Sequence, residues 1–69
     1  MNATEVELLV RGVITHIGLP FTLVSVSPAP DGWNIVVRGE TGRVVRFTLL
    51  AGRPISMRTA IQERLEEEL

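Results

Sequence analysis

Apolar residues at Val6, Leu9, Val10, Val13, Ile14 and Ile17 recur with the i, i+3, i+4, i+7 spacing of one buried helical face. This spacing predicts a first helix over residues 4–17. Thr4 followed three residues later by Glu7 has the form of a capping box at its start. Gly18 and then Pro20 are stop signals at its end. Gly12 lies inside the pattern and costs about 1 kcal/mol relative to alanine; the expected return is close approach of a strand or helix. Residues 21–27 read as a first strand. Phe21 and Leu23 are out of phase with Val24 and Val26, which a β-bulge would reconcile. Pro28-Ala29-Pro30-Asp31-Gly32 reads as a turn or loop.

Residues 33–38 and 43–50 read as the second and third strands, and the chain between them sets their register. With Glu40, Thr41 and Gly42 as a three-residue loop, a type I turn followed by a left-handed Gly42 forms a G1 bulge. Gly39 then pairs with Arg43, Val37 faces Val45, Ile35 faces Phe47, and Trp33 faces Leu49. These six apolar residues share one side of the sheet. Arg38 neighbours Val44, Val36 neighbours Arg46, and Asn34 neighbours Thr48 on the other. A slip of one residue would mix the two faces. Gly52-Arg53-Pro54 ends the sheet. A second helix is expected over 56–68, either capped by Ser56 or opened by Pro54 in its first turn. Its apolar stripe is Met57, Ala60, Ile61, Leu65 and Leu69. Glu66, Glu67 and Glu68 oppose the helix dipole, so the last turn is expected to fray.

The fold class that follows is α+β, a two-layer sandwich of α-β-β-β-α order. Two helices cover one face of an antiparallel three-stranded sheet and leave the other open. The 69 residues form a single small domain. A chain this short sits near the lower limit for folding alone. It has no cysteine and a single histidine, His16, so neither a disulfide framework nor a zinc site is expected to staple it. Its stability must come from an efficient apolar core or from self-association.

The first residues lack the basic start and apolar run of a signal peptide, and no stretch approaches the roughly 20 apolar residues of a membrane span. The cytoplasm is the expected location. Net charge is −1, with 7 basic against 8 acidic residues. Every basic residue is arginine, as GC-rich, bacterial-like coding would give. Glu63, Glu66, Glu67 and Glu68 gather the acidic charge at the end, leaving the preceding chain mildly basic.

Element order and length, His16-Ile17-Gly18-Leu19-Pro20 leading into the first strand, and Ser56-Met57-Arg58-Thr59-Ala60 opening the second helix resemble the double-stranded-RNA-binding domain family. The resemblance implies a non-catalytic domain. Duplex RNA would be bound through the first helix, the loop between strands one and two, and a basic start of the second helix. Here that basic cluster is reduced to Arg58, and the loop at 28–32 has no histidine.

No nucleophile–base–acid set, phosphate loop or metal-ligand cluster is visible in the sequence, so neither catalysis nor a cofactor is expected. His16 reads as a partly exposed helix residue. Trp33 reads as a core residue with its N–H at the sheet edge, although its place beside a loop leaves ligand stacking open. Two arginine groupings carry the functional expectations. Arg53, Ser56 and Arg58, with Pro30 and Gly32 of the loop, form a candidate nucleic-acid surface at the start of the second helix. Arg38 and Arg46, with Val36 and Val44 and with Arg43 near the turn, form a candidate protein interface or homodimer surface on the open sheet face. Ordinary solvated residues are the plain alternative for both groupings, with Arg38 and Arg46 protecting the sheet edge against strand addition.

Overall fold

The structure is a computed structural model that describes all 69 residues. Helix α1 spans Ala3–Ile17, strand β1 Phe21–Ala29, β2 Gly32–Gly39, β3 Val44–Leu50, and helix α2 Pro54–Glu66. The strands form one antiparallel sheet in the order β1-β2-β3. Helix α1 lies over β1, and α2 lies over β3 and beside α1. This is the expected α+β sandwich with an open sheet face. Its α-β-β-β-α topology is consistent with a double-stranded-RNA-binding-like fold.

The β2–β3 register is the one dictated by the turn. Val37 opposes Val45, Ile35 opposes Phe47, and Trp33 opposes Leu49. Gly42 has φ +84°, its N–H donates to Gly39 O at 3.0 Å, and Gly39 N–H donates to Arg43 O at 2.8 Å. Glycine is required at such a left-handed position because a Cβ would be strained there. The phase break in β1 is a bulge: the pairing shifts between Leu23 and Ser25, leaving Val24 without a partner. Phe21, Leu23 and Val26 therefore all pack against the core.

That core consists of Val6, Leu9, Val10 and Val13 of α1, Ile35, Val37, Val45 and Leu49 of the sheet, and Met57, Ile61 and Leu65 of α2. Trp33 and Phe47 are half-buried at its margin. The Trp33 indole N–H makes no bond within the chain and no buried side-chain polar atom lacks a partner, so this N–H faces water.

Several local expectations are corrected. The first helix is capped by Asn2, not Thr4: Glu5 N–H donates to Asn2 Oδ1 at 2.9 Å, and Asn2 N–H donates to Glu5 Oε1 at 3.0 Å. Two overlapping frames fit the capping pattern. The earlier one wins because asparagine is a stronger cap than threonine, and Glu7 is free to pair with Arg11 at 3.4 Å. Of the two starts open to the second helix, the one with Pro54 in the first turn is found: the helix begins at Pro54 rather than at 56, Arg53 holds the N-cap position with no side-chain cap, and Ser56 lies inside the helix. Proline is suited to this first turn because the N–H it lacks would have no helical partner there. Ala60 and Leu69 are exposed, and the apolar stripe of α2 narrows to Met57, Ile61 and Leu65. Nothing approaches Gly12: a Cβ there would meet no atom within 4 Å.

The stretch 28–32 is not a loop. Pro28 and Ala29 extend β1, Gly32 begins β2, and only Pro30 and Asp31 turn the chain. Gly32 is fixed by close approach. A Cβ on it would run into the Leu49 carbonyl oxygen and come within 2.9 Å of Ala51 N and Leu50 Cα, all backbone atoms. Beside it, Ala51 N–H donates to Asp31 O at 3.1 Å and locks the turn to the end of β3.

Candidate functional site: the open sheet face and its free arginines

The ion pairs sort the seven arginines. Arg11 pairs with Glu7, and Arg64 with Glu67 at 3.7 Å and Glu68 at 2.8 Å. Arg43 pairs with Glu68 and also approaches the Glu68 carbonyl at 3.5 Å. Arg38, Arg46, Arg53 and Arg58 form no ion pair. Arg43 thus leaves the cationic sheet grouping, because a carboxylate neutralises it.

Helix α2 ends at Glu66, two residues short of the expected end at 68, and the same contacts hold Glu68 in the turn beyond it. Glu68 is tied both to the β2–β3 turn through Arg43 and to α2 through Arg64. Arg64 in turn lies over the Phe47 ring, 5.8 Å from its centroid, within cation–π range. The Arg64 hydrogen bond, aided by the charge of Arg43 and opposed by desolvation, holds the Glu68 carboxyl below its ordinary value of 4.5. A carboxyl with a lowered pKa in the folded state stabilises the fold fully above its unfolded pKa. That contribution is lost as pH falls through the folded value. The stability difference between wild type and Glu68→Gln is therefore expected to be constant from neutral pH down to about 4.5 and to shrink below it. Urea midpoints of both proteins across this range check the prediction; an unchanged difference at acid pH would contradict it.

Beta pairing places Arg38 beside Val44 and Thr22, and Arg46 beside Val36. Arg38 and Arg46 are diagonal neighbours on the open face, roughly 7–8 Å apart at the backbone. Around them stand Ser25, Ser27, Asn34 and Thr48, with the Thr48 hydroxyl 3.5 Å from Asn34 Oδ1. Val36 is half-buried, while Val44 is 51% and Leu50 67% exposed. None of the three strands contains a carboxylate. The expected sheet residues Val36, Arg38, Val44 and Arg46 are thus brought together on one face.

The other grouping assembles differently. Pro30, Asp31 and Gly32 border a shallow depression with Ala51, Gly52 and Met57, next to the start of α2. Arg53 stands at the N-cap of α2, Ser56 is exposed in its first turn, and the exposed Arg58 borders the groove between α1 and α2. Arg53 and Arg58 are five positions apart, about 140° around a helix, so they do not form a single patch. The two-residue turn is also too short to project from the domain as a loop. The helices and their flanks carry four arginines against six glutamates, so the helical layer is net acidic and the sheet layer net basic.

His16 lies at the rim of the α1/α2 groove near Arg58. The sequence puts His16 on α1 but gives no sign that it lies beside α2, since only helix packing brings the two together. No group of three or more histidine, aspartate and glutamate side chains converges, and no helix is long and apolar enough to cross a membrane. Comparison of the chain with protein-family models, with curated proteins and with solved structures gave no match.

Proposed function

We propose that the domain is a non-catalytic protein-interaction module whose open sheet face receives an acidic protein surface. One observation carries this reading: two arginines without ion pairs stand diagonally adjacent on a sheet face that holds exposed aliphatic side chains and no carboxylate. Aliphatic surface interleaved with arginine is the ordinary composition of an interface core and its surroundings. Charge complementarity supplies the orientation and the rejection of wrong partners. Two copies facing each other through this surface would bring arginine against arginine with no acid to answer, which disfavours a face-to-face homodimer.

Duplex RNA is the less favoured partner. Two separated arginines on a net-acidic helical layer neutralise few phosphates, and affinity for nucleic acid grows with the number neutralised. The test is fluorescence anisotropy with two labelled probes, a short acidic peptide containing leucine and valine and a short RNA duplex, at low and moderate salt. The double variant Arg38→Glu/Arg46→Glu is expected to weaken peptide binding by about tenfold or more, equivalent to about 1.4 kcal/mol, while Arg53→Glu leaves it much less affected. Saturable RNA binding that is lost in the Arg53→Glu/Arg58→Glu variant would overturn the proposal and restore the nucleic-acid reading.

A further inference from the structure

The groove between α1 and α2, on the layer opposite the open sheet face, has its own chemistry. Leu9 and Val13 floor it, Leu8 (64% exposed) and Ile17 (37% exposed) stand at its sides, and it encloses about 390 Å³. Arg58 and His16 are its only ionisable lining residues, and no carboxylate borders it. Arg58 has no ion pair.

Gly12 lies in the middle of this groove. It sits inside a helix, where glycine is the poorest choice after proline. Its φ is not positive, so the backbone does not need glycine. No neighbouring atom lies within 4 Å of where its Cβ would be, so packing within the domain does not need it either. What its missing side chain provides is a notch on an otherwise apolar helix face, where another backbone can approach closely.

We infer that this groove is a docking site for an amphipathic helix of a protein partner, with aliphatic anchors on one face and an acidic residue placed to meet Arg58. Leu8 and Ile17 are nine positions apart on α1, about 14 Å along its axis. That length matches roughly two and a half turns of a guest helix, with anchors at i, i+4 and i+7. The guest crosses α1 at Gly12, where its backbone approaches most closely. Exposed Ile55 shares a face of α2 with Arg58 and Gln62 at helical spacing and extends the apolar surface. The inference does not depend on the sheet-face reading, since the two surfaces lie on opposite layers.

The test uses a labelled helical peptide with leucines at i, i+4 and i+7 and glutamates on its flank, titrated into the intact domain by anisotropy. Wild type is expected to bind saturably. Gly12→Leu fills the notch and Arg58→Glu reverses the rim charge; each is expected to weaken binding by about tenfold or more while far-UV circular dichroism stays native. Gly12→Ala is expected to raise the melting temperature by several degrees, because it removes the helix penalty without a clash, while weakening the peptide. Arg38→Glu/Arg46→Glu is expected to leave this peptide's affinity unchanged, which separates the groove from the sheet face. Absence of saturable binding, binding insensitive to both Gly12→Leu and Arg58→Glu, or preferential occupation of the groove by duplex RNA would overturn the inference.

Discussion

Ile35→Ala is expected to cost about 2–5 kcal/mol and to leave much of the domain unfolded at physiological temperature. Ile35 is the central residue of the central strand. It is 0% exposed, lies between Val26 and Phe47 in the sheet, and belongs to the cluster that also contains Val10 and Ile61. Truncation removes three buried carbons and leaves a cavity roofed by two helices, which cannot collapse without moving a whole element. Only 11 of the 69 residues are buried. A chain of this size has a total stability of roughly 3–10 kcal/mol, so a single cavity takes away a large share. Urea unfolding followed by circular dichroism measures it. A midpoint close to that of wild type would mean that the sheet and helices do not share this core.

The second large effect is expected at a residue with no side chain. Gly32→Ala forces a Cβ into the Leu49 carbonyl oxygen and against Ala51 N. These are backbone atoms held by the β2–β3 ladder and by the Ala51–Asp31 hydrogen bond, so no flexible side chain can yield. The end of β3 must separate from β2, and the lead into α2 moves with it. Overpacking of this kind costs about 1–3 kcal/mol, a fall of about 4–8 °C in melting temperature for each kcal/mol in a domain this small. Gly12→Ala is the built-in contrast: the same substitution in open space raises stability. Equal effects at the two glycines would refute the close approach at Gly32.

How far such features can be read in advance depends on whether their cause is local. The β2–β3 register was legible because Gly42 in the turn and the alternation of Ile35, Val37, Val45 and Phe47 independently demand the same pairing. The β1 bulge was legible as a phase error between Leu23 and Val24. The caps were harder. Asn2/Glu5 and Thr4/Glu7 present the same pattern in overlapping frames, and Pro54 and Ser56 both suit a helix start. The tight turn at Pro30-Asp31 was hidden because Pro28 reads as a strand breaker, whereas at an edge strand its missing N–H costs no ladder bond.

Long-range features left no local trace. Arg43 and Glu68 are 25 positions apart, and their pairing decides which arginines remain free. The candidate sheet residues were legible once the register was known, because strand alternation alone puts Arg38 and Arg46 on one side. The α1/α2 groove was not, because it depends on the packing of two helices that no pattern in either one specifies. The glycine that opens it looked like a packing device for the domain itself.

The most direct test of the sheet-face reading is a nitrogen–proton NMR titration of the labelled domain with the acidic peptide containing leucine and valine, with duplex RNA run in parallel. The account predicts that the amides of Val36, Arg38, Val44 and Arg46 shift with the peptide, and that the double charge reversal at Arg38 and Arg46 abolishes those shifts. Shifts confined to Arg53, Arg58 and the Pro30–Gly32 turn on addition of RNA, with the sheet unmoved by the peptide, would contradict it.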